Sequence, residues 1–212
     1  MRITKFEHAG LRIDDSGETM LVDPGGFTNL PADLGQVTAA VITHEHPDHF
    51  DPANLQRIRE IAPHVPIYAP AGVAATASDV AVTVIAPDES ATVGAFTLRF
   101  FGGEHAVIHR TLPRIENVGV LINDELYYPG DSYAVPAGVE VQTLAAPLGA
   151  PWLKIGDAMD FVLAVRPRRA FGTHDMTLSQ IGREMHRQRL RWATEADGGE
   201  FFDLDPGDVL EV

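Results

Sequence analysis

The 212-residue chain contains no cysteine. Disulfides are excluded, and so are thiolate ligands, so any bound metal must sit among nitrogen and oxygen donors. It has no run close to the ~20 apolar residues that a membrane-spanning helix requires. Its N-terminus, Met1-Arg2-Ile3-Thr4-Lys5, has no signal-peptide hydrophobic region and moves straight into strand-like sequence. A cytoplasmic location away from membranes is therefore expected. Positive charge is scarce: 16 Lys and Arg stand against 30 Asp and Glu, for a formal charge of -14. That balance argues against nucleic acid as a partner. The one basic stretch (Arg183, Arg187, Arg189, Arg191) reads as a solvated helix face offset by Glu184 and Glu195. Homo-oligomerisation is left open.

What is present suits a soluble globular protein. A hydrophobic content of 45% over 212 residues can bury a sizeable core, and a single domain over residues 1–212 is expected. Strand-like segments run from Lys5 to Ile13, Thr19 to Val22, Ala39 to Ile42, Pro66 to Ala69, Val80 to Ala86 and Ala95 to Phe101. In the second half they run from Val118 to Ile122, Leu126 to Tyr128, Val141 to Ala146, Arg169 to Gly172 and Glu200 to Leu204. Asp51-Pro52 reads as an N-cap with proline at the first helical position, and Leu55, Ile58 and Ile61 mark an apolar face. Further helices are expected over Ile155 to Val165 and Leu178 to Ala193, with a small one near Gly72 to Ser78. Two strand-rich halves, each followed by helices, predict two sheets with helices outside.

The densest chemistry lies in Thr43-His44-Glu45-His46-Pro47-Asp48-His49-Phe50, directly after an apolar strand. Imidazole is the commonest metal ligand, and Asp adds a hard anionic oxygen. Four other strands end the same way. Met20-Leu21-Val22 leads to Asp23, Phe96 to Phe101 leads to Glu104-His105, Leu126 to Tyr128 leads to Gly130-Asp131-Ser132, and Ala170-Phe171 leads to Thr173-His174-Asp175. Sheet-based sites gather beyond strand ends, so neighbouring strands would bring these loops together.

This ordered set resembles the five-motif signature of the metallo-β-lactamase superfamily over about residues 6 to 175. It resembles in particular the ascorbate-6-phosphate lactonase-like small hydrolases. The resemblance implies an α/β fold, the four-layer αββα sandwich, with two divalent metal ions at one edge. Zinc is the first choice for such N/O ligands, with Mn2+ or Fe as alternatives. On this sequence His44, His46 and His105 would hold one ion, and Asp48, His49 and His174 the other. Asp131 would bridge them, and Asp23 would orient a histidine from outside the ligand shell. A metal-bridging hydroxide would be the nucleophile, with Asp48 also handling a proton.

Competing readings exist. His109 competes with His105, although the Gly-Gly-Glu-His setting favours His105. Asp175 competes with His174, and Asp23 could be a turn residue beside Pro24-Gly25. His8, Tyr133, Trp152 and Lys154 are candidate substrate contacts that ordinary packing or solvation would also explain. The absence of cysteine and of an inserted or flavin-binding domain argues against β-lactamase, nuclease or oxygen-reducing activity. The expected activity is hydrolysis of an ester or lactone in a small metabolite. The alternatives are phosphodiester hydrolysis on a lipid or nucleotide, and a metal-binding ligand sensor without turnover.

Overall fold

The computed structural model describes residues 1–77 and 80–212. Its first sheet comprises β1 (Arg2–Lys5), β2 (Leu11–Asp15), β3 (Glu18–Val22), β4 (Val37–Val41), β5 (Ile67–Ala69) and β6 (Thr83–Val84), with the late strand β14 (Val209–Glu211) beside β1. The second comprises β7 (Ser90–Val93), β8 (Phe96–Glu104), β9 (Glu116–Ile122), β10 (Leu126–Tyr128), β11 (Thr143–Pro147), β12 (Arg169–Thr173) and β13 (Glu200–Phe202), paired in order from β7 to β13. Four helices complete the fold: α1 (Pro52–Ile61), α2 (Ala71–Thr76), α3 (Ile155–Val165) and α4 (Gln180–Glu195).

Each sheet begins as an antiparallel meander and continues as parallel strands. Parallel neighbours need crossover connections, and helices supply four of the six, while loops join β3 to β4 and β10 to β11. Helices α1 and α2 follow β4 and β5, and α3 and α4 follow β11 and β12. Strands covered on both faces should be apolar throughout. In β11, Thr-Leu-Ala-Ala-Pro, every residue is buried. One core lies between the sheets, where Ile13, Met20 and Val41 meet Phe100, Val120 and Phe171. A second packs Leu55, Ile58 and Val73 onto the outer face of the first sheet, and a third packs Phe161, Val162 and Leu190 onto the second. The layers therefore run helix, sheet, sheet, helix, the expected αββα sandwich.

Local signals explain several boundaries. The Asp51 side chain accepts from the Ala53 N–H as an N-cap, with Pro52 opening α1 as the sequence predicts. Ser16 and Gly17 both have positive φ, as a tight two-residue hairpin turn between β2 and β3 demands.

Three expectations need correction. The apolar run from Lys5 to Ile13 is not one strand. The chain turns at residues 6–10, where the Phe6 N–H donates to the Gly10 carbonyl and His8 takes φ +57°. Of the run from Val80 to Ala86, only Thr83–Val84 pairs in the sheet. The small helix is Ala71–Thr76, and Ser78, its expected end, lies outside the described residues. No helix among the described residues is long and apolar enough to cross a membrane.

Candidate metal centre

All five suspected loops meet at one edge of the sandwich, at strand ends from both sheets. Strand β3 ends one residue before Asp23, and β4 two residues before Thr43. Strands β8 and β12 deliver His105 and His174 as the next residue, and Asp131 follows β10 by three. Close backbone approach holds the loops together. A Cβ on Gly25 would lie 2.0 Å from the Asp48 carbonyl oxygen, and the Gly26 N–H donates to the Pro47 carbonyl. Gly130 takes φ +62° against Thr43 and Asn117, and the Asn117 side chain accepts from the Asp131 N–H at 2.9 Å. Glycine is required where backbones approach this closely or φ is positive.

The imidazoles are set by what their Nδ1 atoms touch. His105 Nδ1 lies 2.6 Å from the Ala106 carbonyl, and His174 Nδ1 lies 2.6 Å from the Gly149 carbonyl. His49 Nδ1 lies 2.6 Å from the Asp23 carboxylate. These acceptors require a proton on Nδ1. The Thr43 hydroxyl donates to Asp23 at 2.7 Å and so accepts from His44 Nδ1 at 3.0 Å. Four rings thus turn Nε2 inward, as metal-ligating histidines held by an outer acceptor do. Asp23 touches Thr43 and His49 and none of the converging Nε2 atoms.

The inward atoms have little else to bind. His49, His105 and His174 Nε2 and Asp131 Oδ1 are buried without a hydrogen-bond partner. The nitrogens stand 3.2–3.3 Å from Asp131 oxygens, close enough for attraction but without hydrogen-bond alignment. Buried polar atoms left this way are costly unless a ligand completes them. His44, His46, His105 and Asp131 form one cluster with metal-ligand spacing, and His8, Asp48, His49 and His174 form another. The donor set of imidazoles and carboxylates therefore fits a divalent cation.

His8 belongs to the second cluster by distance but not by chemistry. Its Nδ1 accepts from the Met176 N–H at 3.2 Å, so its proton sits on Nε2 and is donated to Asp48 at 3.0 Å. It offers no lone pair to a cation, and it is fully buried. The expected substrate contact at His8 is therefore replaced by a brace on Asp48.

Trp152 Nε1 donates to Asp131 Oδ2 at 2.8 Å, a link the sequence does not show. Trp152 and Tyr133 line a cavity of about 500 Å3 that opens beside His105. Lys154 does not line it; the ammonium is exposed and pairs with Asp157 at 3.2 Å. Of the competing ligands, His109 stands out on the loop bonded to Thr111, and Asp175 is buried against Lys5. His186, on α4, is half-buried with Nδ1 on the Leu148 carbonyl.

The electrostatics suit cation exchange. Burial lowers His44 well below the ordinary histidine range, with the His49 charge adding to it. Burial opposes charge on His49 too, but the Asp131 and Asp23 carboxylates prevail and raise it well above that range. On His174 the same contest, won by Asp131 and Asp48, pushes the pKa up to about 9. Burial would raise Asp48, yet the His174 imidazolium 3.2 Å away and the bond from His8 hold it far below the carboxylate range. A cation binding at Nε2 must therefore displace protons from His49 and His174. Apparent affinity should rise about tenfold per pH unit for each proton released, and level off for His174 above pH ~9. The metal-free protein has the opposite slope. Its His174 contribution is complete below pH ~6.5 and fades as pH rises through about 9. Calorimetric zinc titrations in buffers of different ionisation enthalpy would count the protons.

Comparison with known proteins bears on the family and the fold. A family model described as the beta-lactamase superfamily domain matches residues 2–174. Protein Rv0786c of Mycobacterium tuberculosis is 36% identical over 202 residues, covering 93% of this chain and 94% of its own. Among solved structures, Igni18, a metallo hydrolase from Ignicoccus hospitalis, aligns with TM-score 0.74 and 15% identity, over 99% of this chain and 97% of its own. An isothiocyanate hydrolase from Delia radicum gut bacteria aligns with TM-score 0.70 and 18% identity, over 100% and 99%. These two structures speak to the fold, and the family match adds the sequence. The five ordered loops, the two-sheet sandwich and the matched family model together make this chain a member of the metallo-β-lactamase superfamily.

Proposed function

We propose that the protein is a cytoplasmic hydrolase with two divalent cations, zinc first among them, acting on an ester or lactone of a small metabolite. One observation carries this reading: four imidazoles fixed at Nδ1 present Nε2 to one buried carboxylate, Asp131. His44, His46 and His105 would hold one cation, Asp48, His49 and His174 the other, and Asp131 would reach both. When bound, such a pair supplies Lewis-acid polarisation of the substrate carbonyl and a water acidified to attack near neutral pH.

The chain's own residues supply the rest. Asp131 is kept ionised: burial opposes its charge, but His49 and His174 outweigh burial and hold it well below the carboxylate range. Trp152 fixes its second oxygen, which limits how far the carboxylate can turn. Asp48 is the partly exposed carboxylate of the cluster, with 21% of its side chain accessible. It is placed to accept a proton from the attacking water, while the His8 N–H keeps its other contacts in register. In the net reaction the acyl C–O bond breaks and a bond to the water oxygen forms. One water proton ends on the leaving oxygen. The cavity beside Trp152 and Tyr133 has the size of a small-ligand site. The isothiocyanate hydrolase named above supports small-molecule hydrolysis on this fold. The lactonase-like subtype rests on the motif resemblance.

Zinc-loaded protein should hydrolyse p-nitrophenyl esters or simple lactones, and metal-stripped protein should not. Turnover of bis-p-nitrophenyl phosphate alone would replace this reading with a phosphodiesterase. Full metal occupancy without turnover of any of them would replace it with a ligand sensor.

A further inference from the structure

A second cavity of about 210 Å3 adjoins the first across His105, and its lining differs in sign. His46 and His105 form its inner end, and the loop of residues 106–115 forms its walls. That loop contributes Arg110, Arg114 and His109, set among the exposed apolar side chains of Val107, Ile108 and Leu112. Among the described residues no carboxylate lines it, although the chain carries 30 acidic residues against 16 basic ones. The larger cavity, by contrast, includes Glu104 and Asp157.

The donors are arranged for an anion. His109 Nδ1 accepts from the Thr111 hydroxyl at 2.7 Å and from the Thr111 N–H at 3.3 Å, which leaves its proton on the outer Nε2. Arg114 is held by Glu104, whereas Arg110 makes no ion pair or side-chain hydrogen bond among the described residues. A guanidinium fork matches a carboxylate or phosphate with two parallel hydrogen bonds. In an acidic protein, a cation-lined cleft also selects which small molecules arrive.

We propose that this loop is an anion seat, so that the substrate is an ester or lactone whose body carries a carboxylate or phosphate bound by Arg110. The proposal rests on the hydrolytic reading above and deepens it. The anionic group sits between Arg110 and His109, the reacting carbonyl lies at the His/Asp centre, and the remainder lies against Trp152 and Tyr133.

Two measurements on zinc-loaded protein test the seat. Calorimetric binding of succinate and of inorganic phosphate should weaken about tenfold or more in Arg110→Ala and recover in part in Arg110→Lys, since the metal contribution is common to all three. The kcat/KM ratio of mono-p-nitrophenyl succinate to p-nitrophenyl acetate should fall about tenfold in Arg110→Ala. Loss confined to succinate identifies a carboxylate, and loss confined to phosphate a phosphate. Anion affinities and ester ratio both unchanged in Arg110→Ala overturn the seat. Arg110-dependent binding without turnover of either ester keeps the seat and removes the hydrolase.

Discussion

Asp131→Asn should lower hydrolytic kcat/KM by at least about 10³-fold, the loss seen when a charge-stabilising group is removed from a preorganised site. Asp131 is the carboxylate within reach of both clusters. It stands 3.2 Å from His49 Nε2, 3.3 Å from His105 and His174 Nε2, and 3.9 Å from His44 Nε2. The asparagine keeps the shape and can still accept from Trp152, so loss of the negative charge is the main change. A readout besides activity follows from the same contacts. Asp131 leads the interactions that push His174 up to about 9, so its neutralisation should return His174 toward the ordinary histidine range in metal-free protein. Imidazole NMR titration of wild type and variant would show the fall. An unshifted His174 with a near-normal rate would mean that Asp131 is not the shared carboxylate.

The second large effect belongs to Asp23, which touches no Nε2. Its carboxylate is fully buried and accepts from the Thr43 N–H, the Thr43 hydroxyl and His49 Nδ1, all within 2.7 Å. Asp23→Ala leaves these donors buried and unpaired, and should destabilise the metal-free fold by about 3–5 kcal/mol. Asp23→Asn separates structure from function. An amide oxygen can satisfy the Thr43 N–H, but the amide nitrogen then faces His49 Nδ1 and favours the opposite ring tautomer. With the proton on Nε2, His49 presents no lone pair inward. Loss of such an outer partner typically weakens metal binding 10–100-fold. The variant should therefore fold, with a modest drop in melting temperature, while its zinc affinity falls in that range. Zinc affinity like that of wild type would show that Asp23 is only a turn residue.

The loops that meet at this edge were legible in the sequence because each is local: an apolar strand ends and a potential donor follows within a few residues. His44 to His49, His105, Asp131 and His174 could be read this way, and the family resemblance that their order carries implied the sandwich. What was hidden depends on long-range partners. His8 sits in an apolar run that reads as strand, and its tautomer is fixed by the Met176 N–H, 168 residues away. The bond from Trp152 to Asp131 spans 21 residues, and no spacing rule announces it. Strand β14 was missed because three residues near the C-terminus carry too little pattern to show that they pair with β1. Lys154 looked like a pocket residue because it lies near Trp152 in sequence, but α3 starts at the next residue and its side chain turns to Asp157.

The central claim is that two cations, held by these side chains, make the site hydrolytic. Stepwise titration of metal-stripped protein with zinc, followed by the rate of p-nitrophenyl ester hydrolysis, tests it most directly. The rate should begin near background, rise with zinc and reach its plateau at two equivalents per chain. A rate indifferent to zinc, or a protein that takes up none, would contradict the account.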